Sequence, residues 1–188
     1  MIDDIAGKVL AGQRLDYDEG MRLFHHPDLP ELGMLADYVR WQKHPEPIVT
    51  YNIGRNINYT NVCWVRCKFC AFYRPPGHTE GYTLPDEEIF RKIEALVAVG
   101  GNEPESCEIL MQGGLNPKLK IAYYEGLFSE IVRRYPSVYL HSLSVAEIVY
   151  IAHISRITVE EALVRLRTAG LKSLPGAGAE VLDDEVRQ

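Results

Sequence analysis

Three apolar stripes with helical spacing run through the first 45 residues of the chain. The first lies within residues 2–10. The second starts at Asp16 or Asp18, which are residue types that cap helix N-termini. The third spans residues 32–43 and stops before a proline. These stripes predict a helical N-terminal extension, residues 1–47, that precedes the main fold.

From Ile48 onward, short apolar runs alternate with amphipathic segments. The expected strands lie at 48–62, 107–111, 138–143 and 171–174. The expected helices lie at 85–99, 121–135, 144–154 and 158–169. Strands separated by helices predict parallel βαβ units, so the fold class is α/β. Four units are half of an eight-stranded TIM-like barrel, and we expect residues 48–188 to be its N-terminal half, with the C-terminal half missing.

Composition and charge change this picture little. The chain has 188 residues, of which 46% are hydrophobic and 24% charged, which is ordinary for a globular protein. Its net charge of −6 and the lack of a basic block give no support to a nucleic-acid partner. The longest nearly apolar stretch is far below the ~20 residues that cross a bilayer. Acidic residues follow Met1, where a signal peptide would be basic, so we expect a cytoplasmic protein without membrane association.

Three of the four cysteines, Cys63, Cys67 and Cys70, lie within eight residues. Such crowding indicates a metal site rather than a disulfide framework. Thiolates suit the iron of a 4Fe–4S cluster, and three of them leave one iron without a protein ligand. S-adenosylmethionine (SAM) can bind that iron through its amino and carboxylate groups and be cleaved to a 5′-deoxyadenosyl radical.

Structural zinc and buried core cysteines are the competing interpretations of this segment. Zinc usually takes four protein ligands, but the remaining cysteine, Cys107, lies in a predicted strand, and His78 is the nearest histidine. Position favours iron, because the cysteines follow the first predicted strand at the end where barrel active sites assemble. Arg66, Lys68 and Arg74 lie beside the cysteines and either favour thiolates or are simply solvated.

The cysteine segment resembles the radical SAM superfamily, whose hallmark is this spacing with an aromatic residue, here Phe69, before the third cysteine. The resemblance covers essentially the whole chain and extends to the dehypoxanthine futalosine cyclase family of menaquinone biosynthesis. The segments that carry it are 55–63, 67–78, 112–117, 141–144 and 174–180. The Tyr-Arg-Pro-Pro sequence that begins at Tyr73 favours this family over aminofutalosine synthase and the deazaflavin (FO) synthases, which tend to carry Ser there.

The resemblance implies a partial or full TIM-like barrel with SAM and a 4Fe–4S cluster at its mouth. The deoxyadenosyl radical would take a hydrogen from the ribose of dehypoxanthine futalosine, and the carbon radical would add to the benzoate ring. Loss of an electron and a proton would restore aromaticity. A reductant such as flavodoxin or ferredoxin is the expected partner. The alternatives are aminofutalosine synthase or an FO-synthase-like transferase, a zinc-stabilised binding module, and a truncated fragment without activity.

The resemblance also implies cofactor-binding positions in the second and third βα units. Gln112, Gly113 and Gly114 resemble the glycine-rich segment that receives the SAM amino group, and a plain turn is the alternative. Ser142 and Ser144 are expected to hydrogen-bond the SAM ribose or the substrate.

Further positions flank the expected adenine or follow the later strands. The expected adenine neighbours are Phe69 and the backbone of Phe72 and Tyr73, with core packing as the alternative. Glu180 is expected to bind SAM ribose or substrate, with a solvated surface glutamate as the alternative. His141 is either a general base or a satisfied structural histidine. Glu147 either points into the site or lies on a helix face.

Overall fold

The computed structural model describes residues 2–176, 181 and 183–187. The chain divides into two compact units, residues 1–50 and 51–188. The predicted division at residue 47, with the second part forming half of a barrel, stays a prediction. Within the residues that the structure describes, no helix is long and apolar enough to span a bilayer.

The first unit consists of the three expected helices. They are α1 (Asp3–Leu10), α2 (Tyr17–Phe24) and α3 (Leu29–Lys43). Asp16 caps α2 by accepting a hydrogen bond from the Glu19 backbone N–H at 2.9 Å, and the Glu19 carboxylate accepts one from the Asp16 N–H. This reciprocal capping box satisfies two amide groups that the helix itself leaves unpaired. Asp28 caps α3 by accepting a hydrogen bond from the Glu31 backbone N–H at 3.1 Å.

The second unit is built on a parallel three-stranded sheet. Its strands are β1 (Gly54–Ile57), β2 (Cys107–Met111) and β3 (Val138–Ser142), in that order. Its helices are α4 (Asp86–Gly100), α5 (Ile121–Arg134), α6 (Val145–Ser155), α7 (Val159–Thr168) and α8 (Asp184–Arg187). Ile57 pairs with Met111, which pairs with Ser142, so the carboxyl ends of all three strands are level. Parallel βαβ units were predicted, and this part of the prediction is confirmed.

The predicted fourth strand is not a strand in this structure. Only Ser173 forms a bridge, to His141, supported by hydrogen bonds from the Ser142 and Lys172 backbone N–H groups to Ser173 and Leu140. Pro175 follows at once and has no N–H to continue a ladder. The first strand is also much shorter than the predicted run over 48–62, because residues after Ile57 use their polar groups in loop contacts.

The core lies between the sheet and helices α4 to α7. Alternate residues of β2 and β3 point to it, and α4 and α5 contribute their apolar faces. The fully buried large side chains of this core are Tyr59, Tyr124, Phe128, Ile57, Ile89, Ile93, Ile109, Met111, Ile131, Leu140 and Leu143. The intervening residues of β2 and β3, such as Leu110 and His141, are half-buried. A closed barrel would place that face of the sheet in its interior.

The N-terminus of α7 provides a local test of this fold. The Thr158 hydroxyl accepts a hydrogen bond from the Glu161 N–H at 3.0 Å. Thr158→Ala removes this cap and is expected to lower the free energy of unfolding by about 1 kcal/mol, whereas Thr158→Ser retains it. Urea unfolding followed by circular dichroism measures the difference. Equal unfolding free energies for the alanine and serine variants would contradict the assigned cap.

Candidate active site

The three clustered cysteines lie on one loop that leaves the carboxyl end of β1. The Cys63 N–H donates to the Arg74 carbonyl at 2.9 Å and the Arg74 N–H donates to the Asn61 carbonyl at 2.8 Å, which closes the loop at its base. The Cys70 N–H donates to the Cys67 carbonyl at 3.2 Å. Cys63 is buried, Cys70 is half-buried and Cys67 is exposed, and none forms a disulfide.

The donor set of this loop has the chemistry of an iron–sulfur site, since three thiols that no disulfide consumes lie on one short segment. The sulfur atoms are not gathered, however. Among the described residues, no group of three or more His, Cys, Asp or Glu side chains is arranged so that it could hold a metal ion. The residues therefore fit the cluster by ligand type, and their convergence on one centre stays a prediction.

The base of the cysteine loop is anchored by two buried polar residues, Thr60 and Asn61. The Thr60 hydroxyl donates to the Tyr82 carbonyl at 2.7 Å and accepts from the Asn116 amide at 3.2 Å. The Asn61 side chain accepts from the Tyr82 N–H and donates to the Glu80 carbonyl. These bonds tie the chain before Cys63 to the segment before α4, which explains why β1 ends early.

The glycine segment after β2 lies directly against the chain after β1. A Cβ at Gly113 would stand 2.8 Å from Cε1 of Tyr59, and one at Gly114 would stand 2.4 Å from the Val62 carbonyl oxygen. The Gly114 N–H also donates to the Thr60 carbonyl at 2.9 Å. This close approach explains both glycines without a ligand. The role of Gln112, Gly113 and Gly114 toward SAM stays a prediction.

Ser142 and Ser144 both make hydrogen bonds within the fold. Ser142 is fully buried, and its hydroxyl donates to the Ile109 carbonyl and accepts from the Met111 N–H, each at 3.3 Å. Ser144 is the N-cap of α6 and accepts from the Glu147 N–H at 3.2 Å. The Ser142 hydroxyl therefore bonds to the backbone of β2, and the expected roles of Ser142 and Ser144 toward SAM or the substrate stay predictions.

Glu147 points inward, which the sequence alone left open. It is 2% exposed, and its Oε1 accepts from the Tyr59 hydroxyl at 2.8 Å and from the Gly113 N–H at 3.0 Å. Its Oε2 accepts from the Ser144 N–H at 2.7 Å. Burial raises the pKa of this carboxyl group, while the hydrogen bonds oppose that shift. The Ser-x-x-Glu spacing of a capping box predicts the bond to Ser144 but not those to Tyr59 and Gly113.

The basic residues of the loop do not act alike. The Arg74 Nε donates to the Glu80 carboxylate at 2.6 Å, and its Nη1 donates to the Tyr73 carbonyl at 3.0 Å. Arg74 thereby lowers the pKa of Glu80, and its own charge is partly neutralised. Arg66 and Lys68 are exposed. Through its bonds to Glu80 and Tyr73, Arg74 stabilises the conformation of the loop.

The loop aromatics are not part of the core. Phe69 is 95% exposed and Phe72 is 48% exposed, so the core-packing interpretation is wrong for both, while Tyr73 is half-buried. Their predicted place beside the adenine of SAM stays a prediction.

Trp64 and Tyr150 form a contact that sequence reasoning missed. Their rings are stacked with centroids 5.7 Å apart and an interplanar angle of 22°. The Trp64 backbone N–H donates to the Leu115 carbonyl at 3.2 Å. Burial and the neighbouring Cys63 raise the pKa of Tyr150. Because Trp64 directly follows Cys63 and Tyr150 lies in α6, the stack packs the start of the cysteine loop against α6.

The last two candidates are His141 and Glu180. Nδ1 of His141 lies 2.5 Å from the Ser173 hydroxyl, which matches the structural interpretation of this histidine. Glu180 lies outside the described residues.

Comparison with known proteins places this loop and glycine turn in a family. The radical SAM superfamily matches residues 57–188, which include both features. The chain belongs to the radical SAM superfamily. Members of this superfamily in general use a 4Fe–4S cluster and SAM, and the prediction of an enzyme family is confirmed at this level.

Several relatives of this radical SAM chain align over nearly all of it. The cyclic dehypoxanthine futalosine synthase of Halalkalibacterium halodurans is 47% identical over 99% of the chain and 49% of its own length. The 5-amino-6-(D-ribitylamino)uracil–L-tyrosine 4-hydroxyphenyl transferase of Synechocystis sp. is 40% identical over 100% of the chain and 48% of its own length. The aminodeoxyfutalosine synthase of Streptomyces coelicolor is 37% identical over 98% and 46%. The chain thus spans about half the length of the curated relatives it matches.

A solved structure supports the fold of this radical SAM chain. The FeFe-hydrogenase maturase HydG of Carboxydothermus hydrogenoformans superposes with a TM-score of 0.57 and 17% sequence identity, over 92% of this chain and 47% of that one. The similarity confirms the predicted α/β radical SAM fold and says nothing of the reaction.

Proposed function

We propose that this protein cyclises dehypoxanthine futalosine in menaquinone biosynthesis. The observation that carries the proposal is the 47% identity to a cyclic dehypoxanthine futalosine synthase, against 40% and 37% to relatives named for other reactions. The Tyr-Arg-Pro-Pro sequence from Tyr73 supports the same choice. Dehypoxanthine futalosine is the proposed small-molecule substrate, a flavodoxin or ferredoxin the proposed reductant, and the cytoplasm the proposed location.

The cysteine loop is the proposed cofactor site. Cys63, Cys67 and Cys70 would hold the cluster through three thiolates. When bound, the cluster and SAM supply a 5′-deoxyadenosyl radical. The hydrogen bonds of Arg74 to Cys63 and to Asn61 keep the base of the loop closed, so that only the segment between Cys63 and Arg74 would need to rearrange around the metal.

The remaining site residues would orient SAM rather than react. Gly114 lies against Val62 and Cys63, and Gly113 lies against Tyr59 and Thr60; this turn, next to the start of the cysteine loop, would receive the amino group of SAM. Phe69 offers an exposed ring that could cover the adenine. Covering the site in this way would exclude water from a radical, which protects it from side reactions.

Assays with separate candidate substrates test the proposed reaction. The protein expressed from its whole open reading frame is reconstituted anaerobically and given SAM, a reductant and one candidate substrate at a time. We expect the cyclic product only with dehypoxanthine futalosine, and uncoupled 5′-deoxyadenosine with the others. Product formation from the substrates of aminodeoxyfutalosine synthase or of the tyrosine transferase, with none from dehypoxanthine futalosine, would overturn the assignment.

The 4-hydroxyphenyl transferase reaction is the second candidate. Its support is the 40% identity over the entire chain to the Synechocystis sp. relative. The same assay separates the two, because the transferase joins two substrates whereas the cyclase closes a ring within one.

A further inference from the structure

A buried carboxylate connects three segments at the carboxyl edge of the sheet. Glu147 at the start of α6 accepts hydrogen bonds from Tyr59 after β1, from Gly113 after β2 and from Ser144 after β3. Each of these groups follows a different strand by a few residues. One side chain therefore sets the relative positions of the three chain segments that leave the edge where the cysteine loop begins.

Neutral donors alone surround this carboxylate. Its described partners are two backbone N–H groups and the hydroxyls of Tyr59 and Ser144. None of the ion pairs found among the described residues involves Glu147. The Tyr59 hydroxyl lies 3.0 Å from the Tyr124 hydroxyl, which can donate to it in turn. Glu147 accepts in each of these contacts, and such bonds favour the ionised carboxylate, whereas burial opposes it.

The glycine turn depends on this arrangement. Gly113 lies against the Tyr59 ring, and Gly114 lies against the Val62 carbonyl next to Cys63. The bond from the Gly113 N–H to Glu147 and the bond from Tyr59 to the same oxygen hold the ring and the turn together. Losing the shared acceptor would release the turn while leaving the three cysteines in the chain.

We infer that Glu147 is a positioning residue for SAM, which acts by holding the Gly113–Gly114 turn at a fixed distance from the cysteine loop. The inference rests on the proposed function, in which that turn receives the amino group of SAM. Glu147 itself would touch neither SAM nor the substrate, because Gly113, Ser144 and Tyr59 already occupy its oxygens.

Glu147→Gln is the sharpest variant for this role. It keeps the shape of the side chain but replaces one acceptor oxygen with an amide that donates, so either the Ser144 N–H or the pair formed by Gly113 and Tyr59 loses its partner. Glu161→Gln is the matched control. Glu161 occupies the same third position of a capped helix, after Thr158, but its side chain is half-exposed to solvent.

The first measurement needs no cofactor. Hydrogen–deuterium exchange of the protein before reconstitution reports how well the turn is held. We expect the peptide that contains residues 112–116 to exchange about 10-fold faster in Glu147→Gln than in the parent, since in either orientation of the amide the Gly113 N–H loses its charged acceptor. Exchange in Glu161→Gln should equal that of the parent. Unchanged exchange at the turn in Glu147→Gln would overturn the inference.

The second measurement separates positioning from cluster assembly. After anaerobic reconstitution, we expect Glu147→Gln to bind the parent amount of iron, to require about 10-fold more SAM for half-saturation, and to cleave SAM at nearly the parent rate once saturated. Unchanged half-saturation, or loss of iron together with SAM binding, would overturn the positioning role. A parent protein that holds iron but binds no SAM would instead refute the proposed function, and this inference with it.

Tyr59→Phe keeps the proposal testable if Glu147→Gln does not fold. It removes one donor to the same oxygen and leaves the carboxylate in place. We expect faster exchange at residues 112–116 and a several-fold higher SAM requirement, in the same direction as Glu147→Gln but smaller. Parent values for both quantities in a folded Tyr59→Phe protein would overturn the inference.

Discussion

Cys67→Ala is expected to abolish iron binding and SAM cleavage together. Cys67 is the exposed member of the three loop cysteines and forms no disulfide, so its loss leaves the core intact. Two thiolates cannot retain a cluster that needs three from the protein. Iron content and 5′-deoxyadenosine formation after anaerobic reconstitution measure the effect.

Cys107→Ala is the control for the cysteine prediction. Cys107 lies fully buried in β2, with its sulfur near the Leu96 and Gly101 carbonyls. This variant should bind the parent amount of iron, although it loses some stability. Deoxyadenosine formation by Cys67→Ala at the parent rate, or loss of the cluster only in Cys107→Ala, would refute the ligand assignment.

Gly114→Ala is expected to have the second largest effect. The added Cβ would stand 2.4 Å from the Val62 carbonyl oxygen and 2.9 Å from the Cβ of Cys63. Because the first neighbour is backbone, the turn and the start of the cysteine loop must move apart. We expect a loss of about 1–3 kcal/mol in the free energy of unfolding and a marked fall in iron content.

Gly126→Ala is the matched control for the glycine prediction. Gly126 lies within α5, and a Cβ there meets nothing within 4 Å. The same substitution at this position should stabilise the protein by about 1 kcal/mol, because alanine favours a helix over glycine. Urea unfolding and iron content are measured on both variants. A Gly114→Ala protein with parent values would contradict the close packing of the turn.

Local patterns predicted the regular elements well. Asp16 was expected as a possible helix cap and forms one, and the predicted strands over 107–111 and 138–143 match β2 and β3 within one residue. These features depend on spacing and residue type within a few positions of the chain. The parallel pairing of β1, β2 and β3 followed from the alternation of strands and helices.

Features that depend on distant partners were predicted poorly. The apolar run at 171–174 resembled a strand, but within this run the pairing is limited to one bridge, from Ser173 to His141. The bonds of the Ser142 hydroxyl to β2 were not foreseen either, while its expected role toward SAM or the substrate stays a prediction. The inward orientation of Glu147 depends on Tyr59, which lies 88 positions earlier in the chain. No local pattern contains such a contact.

The most direct test of the account is Mössbauer spectroscopy of the protein reconstituted with ⁵⁷Fe, recorded before and after SAM is added. We expect a 4Fe–4S cluster in which one iron of the four changes its quadrupole doublet when SAM binds, because three thiolates leave that iron free. A spectrum in which no iron responds to SAM, or a protein that takes up zinc and no iron, would contradict the account.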